Sequence, residues 1–509
     1  MTRSTTPGGA TVARPGAEGE SEADPRRWLA LAIIGLAQLM VVLDATIVNI
    51  ALPSAQRDLG ITDADRQWMI TAYTLAFGGL LLLGGRIADF TGRKRTFLIG
   101  LLGFAGASAL GGLATNAGLL FSARALQGAF GALLAPAALS LITVTFTTPR
   151  DRARAFGVFG AIAGGGAAIG MILGGVLTEY LSWRWCLGVN VPIAVLTALA
   201  AVAVVRESRA PGDTRYDIPG TVLATAGLGT LVWGFTEAAR PGAGWTSRST
   251  VGLLAAAVVL LVAFVMVEAR SKHPLLPLRI ALDRNRGGSF LAFLLVGAGL
   301  FAMFLFLTFY FQSVLGYSAL RAGFAFLPFS GGIILTAGVI SQLLPRVGPK
   351  PLMVVGLAMA TVGILYLTQI TASTSYLTHV LPAEIVMSVG LAAVFIPASS
   401  TALVGVEPHD AGVASALLNT TQQVGGSLGT ALLNTLYASA VAGYLTGHAA
   451  SAADAARVQA DAFIHGYHVA FFWGGVLLAA ALLVISVFVN AKKDDIPALD
   501  AEEPVLVAA

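Results

Sequence analysis

Long runs of apolar residues, separated by short polar stretches, make up most of the chain from residue 28 onward. A run of roughly 20 such residues is the length that an α-helix needs to cross a bilayer. The pattern predicts fourteen transmembrane helices, at residues 28–50, 67–87, 96–115, 118–142, 156–178, 186–205, 218–238, 249–268, 288–312, 322–344, 351–370, 379–403, 411–440 and 467–490. The run at 411–440 is the least apolar, because it is interrupted by Asn419, Gln422, Gln423 and Asn434.

The composition favours the same class. Hydrophobic residues make up 56% of the 509 residues and charged residues 11%, against about 25% charged residues in an ordinary soluble domain. A soluble protein of this length would need a more polar surface, so the sequence predicts an all-α integral membrane protein. The single cysteine, Cys186, excludes an intramolecular disulfide and a metal cluster held by cysteines.

The distribution of basic residues predicts the orientation. The formal net charge is +4, which in a soluble protein would raise the question of nucleic acid. In a membrane protein, basic residues first mark the loops on the cytoplasmic side. An even number of spans puts both ends on one side, and 23 of the 31 Lys and Arg residues fall there, seven fall on the other side, and Arg124 lies inside a span. We expect a multi-pass protein of the inner or plasma membrane with both termini in the cytoplasm, surrounded by lipid and without a nucleic-acid partner.

Two loop sequences echo each other and predict an internal repeat. GRIADFTGRKRTFLIG at 85–100 aligns without gaps on SQLLPRVGPKPLMVVG at 341–356, after the second and the tenth predicted spans. Such duplication is common in secondary transporters, which bind substrate between the repeats. We expect a disordered cytoplasmic tail, a six-helix bundle, a linker with two extra helices, a second six-helix bundle and a second tail, at 1–27, 28–205, 206–287, 288–490 and 491–509.

An aspartate interrupts the first apolar run, in LDATIVNIALP at 43–53. A charged side chain at mid-membrane costs about 2.5–3.5 kcal/mol on insertion scales, so it usually faces a cavity or a partner. We expect Asp44 to face a water-filled cavity, where it can take up and release a proton. The alternative is an aspartate near the outer interface that simply stays hydrated.

The fourth run contains an arginine, in ARALQGAFGALLAP at 123–136. Arginine keeps its charge at physiological pH, so Arg124 can act on a nearby carboxylate but cannot carry the proton. Gln127 follows three residues later, on the same helical face. The alternative for Arg124 is a side chain that extends to the membrane surface. Glu384, a few residues into the twelfth run, is a further candidate for proton coupling.

A charged loop and a pair of glycines are candidate gating elements. In GRIADFTGRKRTF, Asp89 lies near the basic residues Arg93 and Lys94, between Gly85 and Gly92. Asp89 is suited to cap a helix or to pair with a basic residue when the cytoplasmic side closes, and Gly92 allows a tight turn. In the fifth run, the four-residue spacing of Gly170 and Gly174 permits close helix approach, which ordinary packing would explain equally well.

An apolar cavity at the centre of the molecule would bind a lipophilic substrate. Span position suggests seven lining residues, although such side chains are also common in packing: Gln38, Asn49, Gln127, Phe301, Met303, Phe306 and Tyr310. No lysine follows a glycine, so the phosphate-binding GxxxxGK[ST] loop is absent. We therefore expect no cofactor, and transport that draws on an ion gradient.

Taken together, these motifs resemble the major facilitator superfamily, in its fourteen-span drug:proton antiporter branch. LDATIVNIALP is similar to the first-span signature of that branch, GRIADFTGRKRTFL to the superfamily loop motif, and ARALQGAFGA to the fourth-span motif, whose arginine is implicated in proton coupling. WRWCLGVNVPIA at 183–194 is similar to the stretch that leads into span six. The resemblance covers roughly residues 28–490 and departs at Met171, where proline is usual, and at Phe90, where a basic residue is common.

The resemblance implies a secondary active efflux transporter that exchanges protons for hydrophobic or amphipathic drugs or secondary metabolites by alternating access. Asp44 would be the protonation site and Arg124 its electrostatic partner, while Asp89 and Arg93 would latch the inner gate. We expect a monomer that is not an enzyme. The alternatives are a narrow-specificity metabolite exporter, a proton-coupled importer, and a membrane-embedded enzyme or lipid-handling protein.

Overall fold

The computed structural model describes residues 26–146, 148–209, 217–240, 242–271, 274, 276–406, 411–448 and 454–493. The predicted tails at 1–27 and 491–509 lie almost entirely outside these residues. In the described part, the chain forms seventeen α-helices: α1 Arg27–Leu59, α2 Trp68–Thr91, α3 Arg93–Gly112, α4 Ala117–Thr145, α5 Pro149–Tyr180, α6 Trp185–Gly188, α7 Asn190–Val204, α8 Ile218–Ala238, α9 Arg248–Arg270, α10 Leu278–Ala281, α11 Arg284–Phe309, α12 Ala319–Ala325, α13 Leu327–Val347, α14 Pro349–Tyr366, α15 Leu381–Leu403, α16 Ala411–Gly447 and α17 Ala455–Phe488. Short π-helical turns at Tyr310–Val314 and Tyr376–Val380 and a 3₁₀ turn at Leu367–Gln369 extend three of them.

The described residues contain thirteen helical segments that are long and apolar enough to cross a membrane. They correspond to every predicted span except 411–440, so the prediction of an all-helical membrane protein is confirmed. The remaining span falls on α16, which carries the polar residues noted above. With 37 residues, α16 is roughly 55 Å long at about 1.5 Å per residue, well above the ~30 Å hydrocarbon core. The exact number of fourteen stays a prediction.

The helices pack in two groups with a hairpin beside them. In the first group, α4 packs against α2 and α3, and α1 packs against α5 and α7. In the second group, α11 packs against α16 and α17, and α14 packs against α15 and α17. Helices α8 and α9 form the hairpin, and α8 contacts α2 of the first group and α16 of the second. We call the two groups the first and the second bundle.

The two bundles are joined in one half of the molecule. The terminal side denotes the end at which α1 begins and α17 ends, and the opposite side denotes the other end. Near the opposite side, the Gln312 side chain donates a hydrogen bond to the Ile50 carbonyl at 2.9 Å. There, too, the Leu320 N–H donates to the Glu179 carboxylate at 3.0 Å. These bonds close the opposite side in this conformation.

Two glycines of α5 let that helix approach α1 closely. A Cβ atom at Gly170 would lie 2.0 Å from Thr46 Oγ1, and one at Gly174 would lie 3.0 Å from the backbone of Ile47. Both glycines therefore serve the packing that their spacing predicted, while a role in gating stays a prediction. Helix α5 runs unbroken through Met171, the position at which the related motif carries proline.

We expect Gly170→Ala to lower the melting temperature of the detergent-purified protein by a few degrees, because overpacking a tight helix contact costs about 1–3 kcal/mol. The matched control is Gly165→Ala on the same helix, where an added Cβ has no atom within 4 Å. The control should leave the melting temperature unchanged or raise it, since alanine favours helix over glycine. Equal effects of the two substitutions would contradict the packing role of Gly170.

Candidate functional site

A buried ion pair lies inside the first bundle. Asp44 is 0% exposed and Arg124 is 2% exposed, and Arg124 Nη1 donates to Asp44 Oδ2 at 2.6 Å. Asp44 stands near the middle of the 33-residue helix α1, so the alternative of a hydrated aspartate near the outer interface is wrong. The expectation of a water-filled cavity around Asp44 is also wrong in this conformation, because protein atoms enclose the carboxylate.

Two amides complete the shell around the carboxylate. Gln127 Nε2 and Asn190 Nδ2 each donate to Asp44 Oδ1 at 2.8 Å. Gln127 also donates to the Ser108 hydroxyl at 2.7 Å, which connects α3 to the network. Sequence reasoning placed Gln127 in the substrate cavity and missed Asn190 and Ser108. A polar residue within an otherwise apolar stretch, as in WRWCLGVNVPIA, is the signal that points to Asn190.

Two nitrogens of the Arg124 guanidinium also donate hydrogen bonds within the cluster. Its Nε donates to the Met69 carbonyl at 2.9 Å and its Nη1 to Gln127 Oε1 at 2.9 Å. Its central carbon lies 4.4 Å from the ring centre of Tyr73, in cation–π contact. Arg124 therefore does not extend to the membrane surface, as the alternative interpretation supposed. Helices α1, α2, α3, α4 and α7 all contribute to one closed polar cluster.

A small cavity lies on the other face of α1, between the bundles. Its volume is about 20 Å³, and its lining residues are Thr46, Asn49, Ile50, Met171, Phe304 and Phe326. Pockets for drug-sized ligands measure roughly 300–1,000 Å³, so this conformation is too closed to hold such a ligand. Asn49 Oδ1 is buried without a partner in the described part of the chain, which leaves an acceptor at the cavity.

Asp44 and the cavity occupy different faces of α1. Each residue of an α-helix turns the chain by about 100°, so Asp44 and Thr46 point in nearly opposite directions. Asp44 faces the interior of the first bundle, whereas Thr46, Asn49 and Ile50 face the second bundle across the cavity. Helix α1 is therefore the wall shared by the ion pair and the cavity.

The structure does not place the predicted aromatic and Met residues of α11 at this cavity. Met303, Phe306 and Tyr310 are 0% exposed and share a helical face that packs within the second bundle, where the rings of Phe306 and Tyr437 stack at 5.5 Å. Phe304, on another face, reaches the cavity instead. Helix α11 is apolar all round, so its sequence does not indicate which face turns inward.

Two further predicted lining residues also lie elsewhere. Phe301 packs over Gly426 of α16, where an added Cβ would lie 2.8 Å from the phenyl ring. Gln38 is half-buried on α1 and is not among the residues that line the described cavity. Of the seven predicted lining residues, Asn49 is the one that the structure places there.

Glu384 lies in the second bundle, in the first turn of α15, and is 0% exposed. The Tyr376 hydroxyl donates to Glu384 Oε2 at 3.4 Å, and Oε1 has no hydrogen-bond partner in the described part of the chain. Glu384 and Asp44 therefore lie in different bundles.

The charged loop on the terminal side folds back on its own bundle. Arg93 donates to Asp89 Oδ1 from Nε at 3.0 Å and from Nη2 at 2.9 Å, and Lys94 Nζ donates to the Val202 carbonyl at 2.8 Å. Asp89 pairs with a basic residue, but the pair does not bridge the two bundles. The expected inner latch is therefore not formed in this conformation.

An unpredicted glutamate fixes the start of α3. Glu207 accepts from the backbone N–H groups of Lys94 and Arg95, both at 3.0 Å, and a carboxylate there complements the helix dipole. Gly92 begins the turn with φ of +119°, and a Cβ at this position would lie 2.8 Å from the Glu207 carboxylate. At Gly85, by contrast, a Cβ would make an ordinary 3.5 Å contact with Pro136.

An arginine closes the opposite side. Arg66, in the connection between α1 and α2, is 2% exposed, and its guanidinium lies 4.1 Å from the ring centre of Phe309 and 4.6 Å from that of Tyr437. Arg66 Nε donates to Asn434 Oδ1 at 3.1 Å, and Asn434 Nδ2 donates to the Asp63 carbonyl at 2.8 Å. Sequence reasoning used Arg66 for orientation alone and missed this contact between the bundles, which we call the Arg66 latch.

Comparisons with known proteins agree on one family. The model of the Major Facilitator Superfamily matches residues 34–430. The puromycin resistance protein pur8 of Streptomyces alboniger is 52% identical over 464 residues, which cover 90% of this chain and 91% of that protein. The cephamycin export protein CmcT of Amycolatopsis lactamdurans is 41% identical over 440 residues, 86% of this chain and 88% of that protein.

Solved structures share the fold at low sequence identity. A bacterial homologue of the human lysosomal transporter Spinster, in an inward-facing and occupied conformation, superposes with a TM-score of 0.67 at 16% identity. The match covers 93% of this chain and 99% of that one. At this identity the comparison bears on the fold alone.

We expect the buried ion pair to behave as one energetic unit. Asp44→Ala and Arg124→Ala should each destabilise the protein strongly, by about 3–5 kcal/mol, because each leaves an unpaired buried charge. The double variant should cost clearly less than the sum. The comparison pair is Asp89 and Arg93, which is partly exposed and should show a coupling of at most about 1 kcal/mol.

Chemical or thermal unfolding of the purified single and double variants measures the two coupling energies, with one double-mutant cycle for each pair. Additive effects of the Asp44 and Arg124 substitutions would contradict the assignment of these two residues to one cluster.

Proposed function

We propose a function for this chain on the basis of its family, since it belongs to the Major Facilitator Superfamily. It is a multi-pass membrane transporter, and its relatives include proteins named for puromycin resistance and cephamycin export. We propose that it exports hydrophobic or amphipathic drugs or secondary metabolites in exchange for protons, as a monomer in the cell membrane with both termini in the cytoplasm. The proton gradient would drive transport without a cofactor.

The lining of the cavity supports a lipophilic substrate. Ile50, Met171, Phe304 and Phe326 supply apolar surface, and Asn49 supplies a polar contact. Apolar walls with a few placed polar groups are typical of small-molecule sites. Since the cavity lies between the bundles, separation of the bundles on the terminal side would enlarge it and expose it to the cytoplasm, where an exporter binds its substrate.

The observation that carries the proposed coupling is the position of Asp44 on α1. The carboxylate balances Arg124 on one face of the helix, and the other face lines the cavity. Protonation of Asp44 would remove the negative charge and leave Arg124 without its anion. The cluster would then rearrange, and because Asp44, Asn49 and Ile50 belong to one continuous helix, a shift on one face would move Asn49 and Ile50 on the other.

The Arg66 latch supplies the second half of the cycle. Alternating access requires that the opposite side open after substrate has bound from the terminal side. To do so, the Arg66 guanidinium must leave the rings of Phe309 and Tyr437 and the amide of Asn434. We propose that this contact stabilises the conformation closed on the opposite side. Glu384, buried in the second bundle, is the reserve candidate for proton coupling.

We expect Asp44→Asn to abolish dye movement driven by an imposed pH gradient in proteoliposomes, while dye binding to the purified protein remains within a fewfold of wild type. Asparagine keeps the shape and most hydrogen bonds but cannot release a proton. The matched control is Asp58→Asn on the same helix, since Asp58 is half-exposed and pairs with Arg184 at the surface. The control should transport like wild type.

Several results would count against this assignment. Gradient-driven transport that survives in Asp44→Asn would exclude Asp44 as the coupling site, and Glu384→Gln is then the variant to test. Dye movement in the same direction as the protons would support the proton-coupled importer instead of the exporter.

We expect Arg66→Ala to shift the protein toward conformations open on the opposite side. The single native cysteine is first removed by Cys186→Ser. Spin labels are then attached at positions 181 and 377, where Leu181 and Leu377 are 63% and 67% exposed near the opposite side. The mean distance between the two labels should be longer in Arg66→Ala. The control is Arg57→Ala, because Arg57 is exposed and its side chain contacts Ser54 of its own helix. An unchanged distance distribution in Arg66→Ala would exclude the latch.

A further inference from the structure

Two buried acids lie outside the site described above, at the terminal end of the α8–α9 hairpin. Asp217 immediately precedes α8 and is 6% exposed, and Glu268 lies two residues before the end of α9 and is 3% exposed. Neither belongs to a motif that the sequence analysis singled out. A carboxylate buried to this degree is costly unless it is paired or hydrogen-bonded.

Each acid has one satisfied and one unsatisfied oxygen. Asp217 Oδ1 accepts from the Gly220 N–H at 2.8 Å, and Glu268 Oε2 accepts from the Leu276 N–H at 2.9 Å. Asp217 Oδ2 and Glu268 Oε1 are buried and have no hydrogen-bond partner in the described part of the chain. The two oxygens that lack partners therefore belong to two neighbouring acids.

These two oxygens converge on the same point. A Cβ atom built on Gly220 would lie 2.9 Å from Asp217 Oδ2 and 2.5 Å from Glu268 Oε1, so the two oxygens flank one small space. Ionised carboxylates only accept hydrogen bonds, so two of them cannot bond to each other. With one proton between them, one group becomes a donor and both unsatisfied oxygens gain a partner.

The repulsion between two ionised carboxylates also favours one proton. The guanidinium of Arg86 on α2 belongs to the same region, because its Nη2 donates to the Pro274 carbonyl, two residues before the Leu276 N–H that Glu268 accepts. Asp217 Oδ2 and Glu268 Oε1 nevertheless have no hydrogen-bond partner in the described part of the chain. Two carboxyl groups that share such a site do not both ionise readily.

We propose that Asp217 and Glu268 form a proton-binding carboxyl pair on the terminal side, in which a single proton is shared between Asp217 Oδ2 and Glu268 Oε1. The proton comes from water, forms an O–H bond with one oxygen and a hydrogen bond to the other, and returns to water on release. The pair is a second protonation site, held by the hairpin and separate from Asp44, and it does not depend on what the protein transports.

The pair is joined to the first bundle by the segment that follows α9. Glu268 accepts a hydrogen bond from the Leu276 N–H, and Arg86 Nη2 donates one to the Pro274 carbonyl at 2.7 Å. Arg86 follows Gly85 directly in the charged loop sequence that also contains Asp89. Release of the proton would leave two like charges in contact, and their repulsion would loosen the attachment of this segment to α2.

The test compares the purified full-length protein with Glu268→Gln and Asp217→Asn by infrared difference spectroscopy during a pH titration. Wild type should show a carbonyl-stretch band of a protonated carboxyl group that is absent from both variants. Each amide supplies a permanent N–H donor in place of the shared proton, and asparagine still caps α8. The matched control is Glu237→Gln at the other end of α8, since Glu237 is paired with Arg240 at 2.9 Å and should leave the band intact.

Thermal stability provides a second readout. If the folded protein binds one more proton than the unfolded chain, its stability falls as pH rises through the titration of the pair, with an unfolding constant that increases up to about tenfold per pH unit. Glu268→Gln should remove this dependence, and Glu237→Gln should retain it.

Three outcomes would overturn the proposal. One is a band of equal intensity in wild type and in both variants. Another is an identical pH dependence of stability in wild type and Glu268→Gln. The third is stabilisation of wild type by millimolar Ca²⁺ or Mg²⁺ that Glu268→Gln lacks, which would mean that a metal ion takes the place of the proton. If the carboxyl variants do not fold, Gly220→Ala, whose added methyl group displaces both oxygens, should lose the band while keeping both acids.

Discussion

The ion pair of Asp44 and Arg124 is the constraint on which the first bundle depends. Two opposite charges at mid-membrane are tolerated because both carboxylate oxygens of Asp44 accept hydrogen bonds, and Nε and Nη1 of Arg124 donate hydrogen bonds, at short range. The pair and its partners lie on four helices, α1, α2, α4 and α7, so the bundle must assemble around the pair in one arrangement. Removal of either charge strands the other in a region of low dielectric, where an unpaired ion costs several kcal/mol.

The same pair makes α1 suitable as a transmitting element. One face of the helix is fixed to Arg124, Gln127 and Asn190, and the other face lines the cavity between the bundles. Gly170 and Gly174 of α5 bring α1 into tight contact along this stretch, and both faces belong to one continuous helix. The proposed coupling between proton and substrate then needs no direct contact between them, only a helix whose position both of them influence.

Much of this architecture is readable from the sequence, for a physical reason: a membrane span must bury all of its backbone hydrogen bonds within itself. Apolar runs therefore indicate helices, and an acid or a guanidinium within a run indicates a polar cluster. Rotation about a uniformly apolar helix is not readable in this way. The sequence of α11 has aromatic residues on every side, so Phe304 and Phe306 cannot be assigned to cavity or core without the neighbouring helices. Long-range partners such as Arg66 with Asn434 carry no local pattern either.

The two charged contacts differ in the free energy that each contributes to the choice between conformations. A ligand moves an equilibrium only by its differential affinity for the two states, and a shift from 1:99 to 99:1 needs about 5.5 kcal/mol. Removing one partner of a buried ion pair such as Asp44–Arg124 costs about 3–5 kcal/mol, so the proposed protonation of Asp44 would be of the size needed to change the state of the first bundle. The Arg66 latch is a cation between two rings with one amide bond, which is worth about 2 kcal/mol. A contact of that strength holds the opposite side closed without trapping it.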